Sequence, residues 1–570
     1  MHAATATLLL LFITALSAPL GRVIRIPLAL LQIILGVLAS LLGAHLGIRV
    51  GFDPDVFMLL FVPPLLFSDA FRTPLRELRQ LSWPILTLAV GLVLFTTLGC
   101  GKFIDWLIPP IPLAAAFALA AVLSPTDAVA VGSMLEGRNV PPRFLHVLSG
   151  EALLNDASGL VCFKFAAAAA MTGAFSITSA GIGFLVIAAG GLLVGALLAI
   201  GLAVVQQFLL RRHFDHAITY LTLTALLPFA AYLLAEHLGT SGILAAVSAG
   251  LVLRRGRTWT LVASETRLVV HAVWEVITFL FNGMIFLLLG MQLPEIIRDG
   301  VAIALQDRVS PWAPLWAIVL ITAVLLALRL VWIVGLLTLR RVTHWRSWKD
   351  EPHARPRVVA ALAVAGARGA ITLAAVSSLA PEFPQRGLLL VLAAGVIICS
   401  LLVAAVALPL LLAGFQPDPE AAGEMDRTRL ALSRLAIGFF ERAGTEAAEG
   451  EPGGERAEVV ARLLAESTAR ARRLSVHVAH AGDDETESRA EQVLLIRRER
   501  QEVALRLRLL REQRAALEAM CRDDEINDET EQLIMREMDL REETLLSRAA
   551  LLPHEADLYG EAAAPAAVAP

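Results

Sequence analysis

Between residues 4 and 414 long apolar runs alternate with short polar connections, and beyond residue 416 the pattern turns to charged, helix-forming sequence. A helix needs about 20 residues to cross a bilayer. Thirteen runs are read as spans, at 4–19, 27–47, 55–70, 84–108, 112–134, 143–172, 178–209, 217–236, 240–253, 267–293, 312–338, 357–380 and 386–414. The ninth is short and is expected to sit beside a half-buried neighbour. The pattern predicts an all-α polytopic membrane domain over 1–415, linker and tail helices over 416–483, an amphipathic helical segment over 484–550, and a disordered end over 551–570.

In the tail, GEPGG at 450–454 marks a flexible break. Apolar positions then recur at helical spacing among interleaved Arg and Glu, as in LLIRRERQEVALRLRLLREQRAALEAM, which predicts a hairpin or coiled-coil segment. INDET at 526–530 interrupts it and supplies a new N-cap. The interleaved Glu makes the basic run a solvated helix face, so no nucleic-acid partner is expected.

Composition agrees with the pattern. The 570 residues are 57% hydrophobic, with a mean hydropathy of +0.68, as in proteins embedded in a lipid bilayer. The four cysteines, at 100, 162, 399 and 521, show no CxxC or Cys/His spacing, so neither a disulfide framework nor a zinc site is expected. Residues 1–19 have the length of a signal peptide, but no basic residue precedes the apolar run and another span follows at once. An uncleaved first helix is expected. Nineteen Lys and Arg lie in connections after odd-numbered spans and five in the others. The positive-inside rule then puts the N-terminus outside and the C-terminal tail in the cytoplasm, in a plasma (inner) membrane. No nucleophile elbow, phosphate loop or metal-ligand spacing occurs, which argues against an enzyme and against a bound cofactor.

The chemistry is sought where polar groups interrupt apolar runs, because ionisable groups at membrane depth are costly and mark function. SGEALLNDASG at 149–159 holds Glu151, Asn155 and Asp156. Glu151 and Asn155 are four apart on one helix face; Ala152 and Asp156 are four apart on the adjacent face. The fifth span is interrupted by SPTDAVAVG at 124–132, where Pro125 disfavours helix at Ser124. Asp127 stands at that break either as a helix cap or as an ion contact. The twelfth span is interrupted by AGARGAITLAA at 365–375, with Gly366 and Gly369 flanking Arg368. Broken spans in both halves of a carrier point to a midplane site between inverted repeats, and Arg368 is placed to neutralise the carbonyl end of a half-helix. Arg329 is the one charge near the middle of the eleventh span and needs an anionic partner. Glu151 is the best candidate, with Asn155 completing the set, which leaves Asp156 as the free carboxylate.

Other polar residues carry less. Lys164 either snorkels to the interface or forms a salt bridge whose partner the sequence does not name. Asp69 is expected to pair locally with Arg72, and Glu275 and Asn282 to be buried hydrogen-bond formers. His271, near the end of its span, is a weak candidate for pH sensing.

The motifs FVPPLLFSDAF (61–71), SPTDAVAV (124–131), GEALLNDASG (150–159), EHLGTSGILAAVSAGL (236–251), FLFNGMIFLLLGMQL (279–293) and GARGAITLA (366–374) together resemble the sodium/proton exchangers of the cation/proton antiporter superfamily. The nearer match is the bacterial NhaP-like branch with a cytoplasmic tail. The resemblance implies a thirteen-helix fold in which a core domain with two crossed broken helices moves against a dimerisation domain, in a homodimer. By motif matching, Asp156 would bind cation and proton, Thr126 would offer oxygen ligands, and Asp127 would lie beside them. Glu151 and Asn155 would be tied to Arg329, and Arg368 would support the second break. This chain has Ala152 where the family often has Ser, so one hydroxyl is missing. Asn155–Asp156, rather than a double Asp, is the pattern associated with electroneutral exchange.

Elementary electrostatics leads to the same mechanism. Burial penalises the charged form of a carboxylate, so either a proton or a monovalent cation discharges it, and the empty charged site is costly to move. Hence the expectation is one-for-one exchange of Na+ or Li+ for H+ by alternating access, hard oxygen ligands suiting those ions. A K+/H+ antiporter shares these features, and a sensor without turnover on the same scaffold is the remaining alternative.

Overall fold

A computed structural model describes residues 2–550, apart from 25, 46–53, 136–137, 139, 174–176, 213–216, 256–263, 307–311, 343–355, 414–418, 451–457, 469–470, 472–485 and 524–527. Most of the GEPGG break, Ile526 and Asn527 of INDET, several loop arginines and residues 551–570 therefore lie outside the described residues.

The chain divides into two compact units, Met1–Pro417 and Asp418–Pro570. The first begins with α1 (His2–Ile24), α2 (Leu28–His45), α3 (Pro54–Leu60), α4 (Val62–Arg72) and α5 (Leu75–Gln80). Then α6 (Ser82–Leu86) passes through a π-helical turn at Thr87–Leu92 into α7 (Val93–Leu107). A broken pair comes next, α8 (Leu113–Leu123) and α9 (Ala128–Leu135), then the long α10 (Pro142–Thr172), α11 (Ile177–Arg211), α12 (Ala217–His237) and α13 (Gly242–Arg255). The unit ends with α14 (Ser264–Gln306), α15 (Ala313–Val342), the second broken pair α16 (Pro356–Val364) and α17 (Ala370–Ser377), and α18 (Arg386–Leu411).

Among the described residues eight helical stretches are long and apolar enough to cross a membrane, or nine when α8 and α9 are taken as one span bent by 40°. The remaining predicted spans fall on α2, on α3 with α4, on α13, and on α16 with α17, so each of the thirteen apolar runs lies on a helix or a broken helix. Pro63 and Pro64 occupy the first turn of α4, where their missing N–H groups would be unpaired anyway. The short α13 is surrounded by protein, with Gly242 through Gly250 all buried, which explains how fourteen residues suffice.

Two apolar cores of this unit flank the polar residues. The larger gathers α8, α9, α10 and α16–α18 with parts of α2, α4 and α14; Leu160, Phe163 and Ala166 of α10 belong to it. The second holds Tyr220, Leu227, Ala231 and Ala235 of α12 against α11, α13, Phe67 and Phe71 of α4, and Trp274 of α14.

The second unit contains α19 (Pro419–Gly450), α20 (Thr486–Arg522) and α21 (Asp528–Ala550). Val503, Leu510 and Leu517 are buried at seven-residue spacing, a coiled-coil period. Leu510 and Leu517 cluster with Met538, and Arg514 donates to Asp539 at 2.6 Å and pairs with Glu542. α20 and α21 pack on each other through these contacts.

Candidate functional site

The two broken spans meet at their breaks. Asp127 donates its backbone N–H to the carbonyl of Ala367 at 2.8 Å, joining one break directly to the other. The half-helix ends exposed by the breaks find partners nearby. The Thr372 hydroxyl of α17 donates to Val122 O at the end of α8, at 3.0 Å. Asp127 Oδ1 accepts from the backbone N–H groups of Val129 and Ala130, at 2.9 and 3.1 Å, capping α9. Arg368, 2% exposed, donates through Nη1 to Gly366 O just past α16, and its backbone N–H donates to Ser400 Oγ at 3.1 Å. The close approach requires glycine: a Cβ on Gly369 would lie 2.8 Å from Asp127 Oδ2 and 3.1 Å from its Cβ. Likewise, a Cβ on Gly159 would fall 2.4 Å from Pro125 Cγ, so α10 reaches the first break only because residue 159 has no side chain.

On α10 the two predicted faces separate. Glu151 and Asn155 are each 1% exposed. Arg329, also 1% exposed, grips both carboxylate oxygens of Glu151, with Nη2 to Oε2 at 2.7 Å, and donates through Nε to Leu362 O at 2.9 Å. Asn155 is not bonded to Arg329. Its Nδ2 donates to the Thr126 hydroxyl at 3.0 Å, which in turn donates to Glu151 Oε1 at 3.1 Å. Thr126 thus ties the first break to the Glu151–Arg329 pair, and its hydroxyl is already engaged as donor and acceptor. Asn155 Oδ1 is buried without a partner among the described residues.

Asp156 and Ala152 line a cavity of about 280 Å³. Asp69, Thr126, Asp127, Asn282 and Thr372 share that lining, and the cavity continues past His146 to Arg72 and Glu77 at the end of α4 and start of α5. Asp156 makes no side-chain hydrogen bond among the described residues and opens onto this space. Asp69 of α4, Asp127 at the first break and Asp156 of α10 therefore share one cavity, and among the described residues none of the three has an ion-pair partner such as Arg329 gives Glu151. Asp69 is the residue that reading the sequence missed as part of the site: among the described residues it forms no ion pair with Arg72, and it lines the cavity instead. The signal available was a carboxylate five residues after a Pro-Pro pair within an apolar run.

Of the other expectations, Asn282 lines the cavity and is half-buried, whereas Glu275 is exposed and pairs with His271 at 3.5 Å on the same helix. Lys164 has a partner, Glu236 of α12, at 3.3 Å.

Known proteins share this arrangement of sequence and fold. Residues 8–414 match the family model described as sodium/hydrogen exchanger, transmembrane. An uncharacterized Na+/H+ exchanger of Escherichia coli strain K12 is 38% identical over 559 residues, covering 95% of this chain and 98% of that protein. A sodium, potassium, lithium and rubidium/H+ antiporter of Bacillus subtilis strain 168 is 41% identical over 416 residues, 71% of this chain and 60% of that protein. The solved structure of the sodium proton antiporter MjNhaP1 from Methanocaldococcus jannaschii at pH 8 shares the fold, with a TM-score of 0.53 at 18% identity, over 73% of this chain and 99% of that one.

Proposed function

The chain belongs to the sodium/hydrogen exchanger family, a monovalent cation/proton antiporter of the membrane and not an enzyme, and from that premise we propose that Asp156 is where cation and proton compete. The observation that carries this reading is the division on α10: Glu151 is neutralised by Arg329, while Asp156 faces the cavity uncommitted. A proton or one monovalent cation discharges Asp156, and only the discharged site crosses the low-dielectric barrier. Exchange is then one for one and electroneutral, with no resident cofactor.

Asp127 and Thr126 lie beside the cation, Asp127 through the oxygen not taken up in capping α9. Asp69 completes the acidic lining. The cavity's route toward Arg72 and Glu77 is the cytoplasmic one in the orientation that the loop charges favour, with N-terminus outside, C-terminal tail inside, and the domain in the inner membrane as a homodimer.

A second reading concerns the cation. Ala152 supplies no hydroxyl to the cavity, and the Thr126 hydroxyl is already bonded to Glu151 and Asn155. With no hydroxyl at position 152 and that of Thr126 engaged, water supplies part of the shell beside the carboxylates, and size selection is relaxed. This favours acceptance of K+ beside Na+ and Li+, in keeping with the ions in the name of the Bacillus subtilis relative. The test is cation-dependent dequenching of a pH dye in proteoliposomes, with and without a clamped membrane potential. Signals with Na+, Li+ and K+ that are indifferent to the clamp are expected, and Asp156→Asn abolishes them while leaving folding intact. Robust pH-gradient-driven Na+ uptake by Asp156→Asn would sink the assignment.

A further inference from the structure

Beyond Asp156, α10 continues toward the end of the unit opposite Arg72 and Glu77. Lys164 lies eight residues on, about 12 Å along the axis at 1.5 Å per residue. Its Nζ is 3.3 Å from Glu236 Oε2 and 3.5 Å from Oε1. Glu236 is the penultimate residue of α12 and is itself held at the turn into α13, where Gly242 donates its backbone N–H to Glu236 Oε1 at 3.2 Å.

This ion pair spans the two apolar cores, which otherwise meet through α4 and α13, helices with buried residues in both. Around Lys164, α10 is embedded in the larger core through Leu160, Phe163 and Ala166. Next to Glu236, α12 is embedded in the second core through Ala231 and Ala235. The cavity that exposes Asp156 runs the other way, past Ala152, Ser149 and His146. On the Lys164 side, Leu160 is the last residue of α10 in the cavity lining, and the Lys164–Glu236 pair lies one turn beyond it.

We propose that Lys164 and Glu236 form a latch between the two cores that holds the far side of the transport site shut while the cavity is open toward Arg72 and Glu77. Exposing Asp156 to the opposite face requires α10 to move relative to α12, and that motion separates the pair. The side chains are 60% and 37% exposed, so the latch is weak. An exposed pair shifts an equilibrium by roughly two- to five-fold, which biases an alternating-access cycle without freezing it. A weak link at this point suits a carrier, because the state it favours must still be left in every turnover.

The inference rests on the alternating-access reading, and the experiment separates the two. Lys164→Met and Glu236→Gln remove the attraction, Lys164→Glu puts like charges together, and the exchange Lys164→Glu with Glu236→Lys restores it in reverse. Each is reconstituted in proteoliposomes of one defined orientation, and apparent KM for Na+ is measured from each face, with Asp156→Asn as control. The expected result is a KM about two- to five-fold higher on the face served by the cavity and lower on the other. Lys164→Glu should show the larger change, the charge-exchanged pair should return toward wild type, and melting temperature should not move. Equal effects on both faces, no rescue by the charge exchange, or unchanged KM in the single variants would each overturn the latch. If wild-type protein turns over and Asp156→Asn does not, such a failure leaves the assignment of Asp156 standing.

Discussion

Arg329→Ala should destabilise the protein more than it alters its ion selectivity. Arg329 and Glu151 are each 1% exposed, so neither charge is screened by water. The guanidinium holds both Glu151 oxygens and the carbonyl of Leu362. Leu362 lies in the last turn of α16, where carbonyls lack helical partners. Truncation strands a buried carboxylate and that carbonyl together, and breaking one side of a buried pair costs about 3–5 kcal/mol. Against a native stability on the order of 5–15 kcal/mol, that is about a fifth or more. The assay is thermal melting in detergent, followed by dispersity on size exclusion, with Asp156→Asn as a control whose melting stays near wild type. Arg329→Lys keeps the charge but loses the bidentate fork, and should fall between the two. Replacing both partners, as Glu151→Leu with Arg329→Met, should recover much of the loss, because two apolar groups leave no stranded charge. Thr126 would then lack its acceptor, so recovery stays incomplete. Wild-type melting of Arg329→Ala, or a changed cation preference at undiminished stability, would refute the structural role.

Three further outcomes are expected. Asp156→Asn should give no cation-driven dye dequenching with Na+, Li+ or K+, while melting as a folded protein. Ala152→Ser places a hydroxyl on the cavity wall beside Asp156 and should tighten apparent cation affinity, most for Na+ and Li+; affinities unchanged for all three ions would show that position 152 does not face the cation. Gly369→Ala forces a Cβ to within 2.8 Å of Asp127 Oδ2, so either the cap on α9 or the contact between the breaks must shift. Exchange should drop several-fold with modest loss of stability, and full activity would mean that the breaks separate more readily than their hydrogen bond suggests.

Much of the site was legible in the residues. The Pro125 break, the Gly366–Gly369 break and the four-residue offsets on α10 are local signals, and each has a local physical cause. The pairing of Glu151 with Arg329, 178 positions apart, was also reachable, since a lone mid-membrane cation demands an anion. What could not be read was how intermediates are shared. Asn155 reaches the pair only through the Thr126 hydroxyl, which depends on how the first break lies against α10. Asp69 was misplaced because Arg72 is near in sequence, although the helix turns the carboxylate toward the cavity. Lys164 had no named partner because Glu236 comes from a helix that belongs to the other core.

The broken spans explain why so many polar groups are buried without making the site rigid in charge. Breaking two helices at membrane depth exposes backbone donors and acceptors that lipid cannot satisfy. Here they are satisfied locally: Thr372 serves the end of α8, Asp127 the start of α9, and Arg368 the carbonyl beyond α16. The breaks also serve each other through Asp127 and Ala367. Glu151 is consumed by Arg329, and Thr126 and Asn155 are consumed in holding that pair to the break. Once these obligations are met, the carboxylates of Asp156 and Asp69 remain without hydrogen bonds among the described residues, both facing the same cavity. A carboxylate with a fixed partner cannot discharge and recharge in a cycle, whereas one without a partner must take a proton or a cation to leave water. In the proposed mechanism the structural polar groups thus mark the exchanging carboxylate by exclusion, which gives Asp156, one residue from Asn155 and five from Glu151, a different role from both.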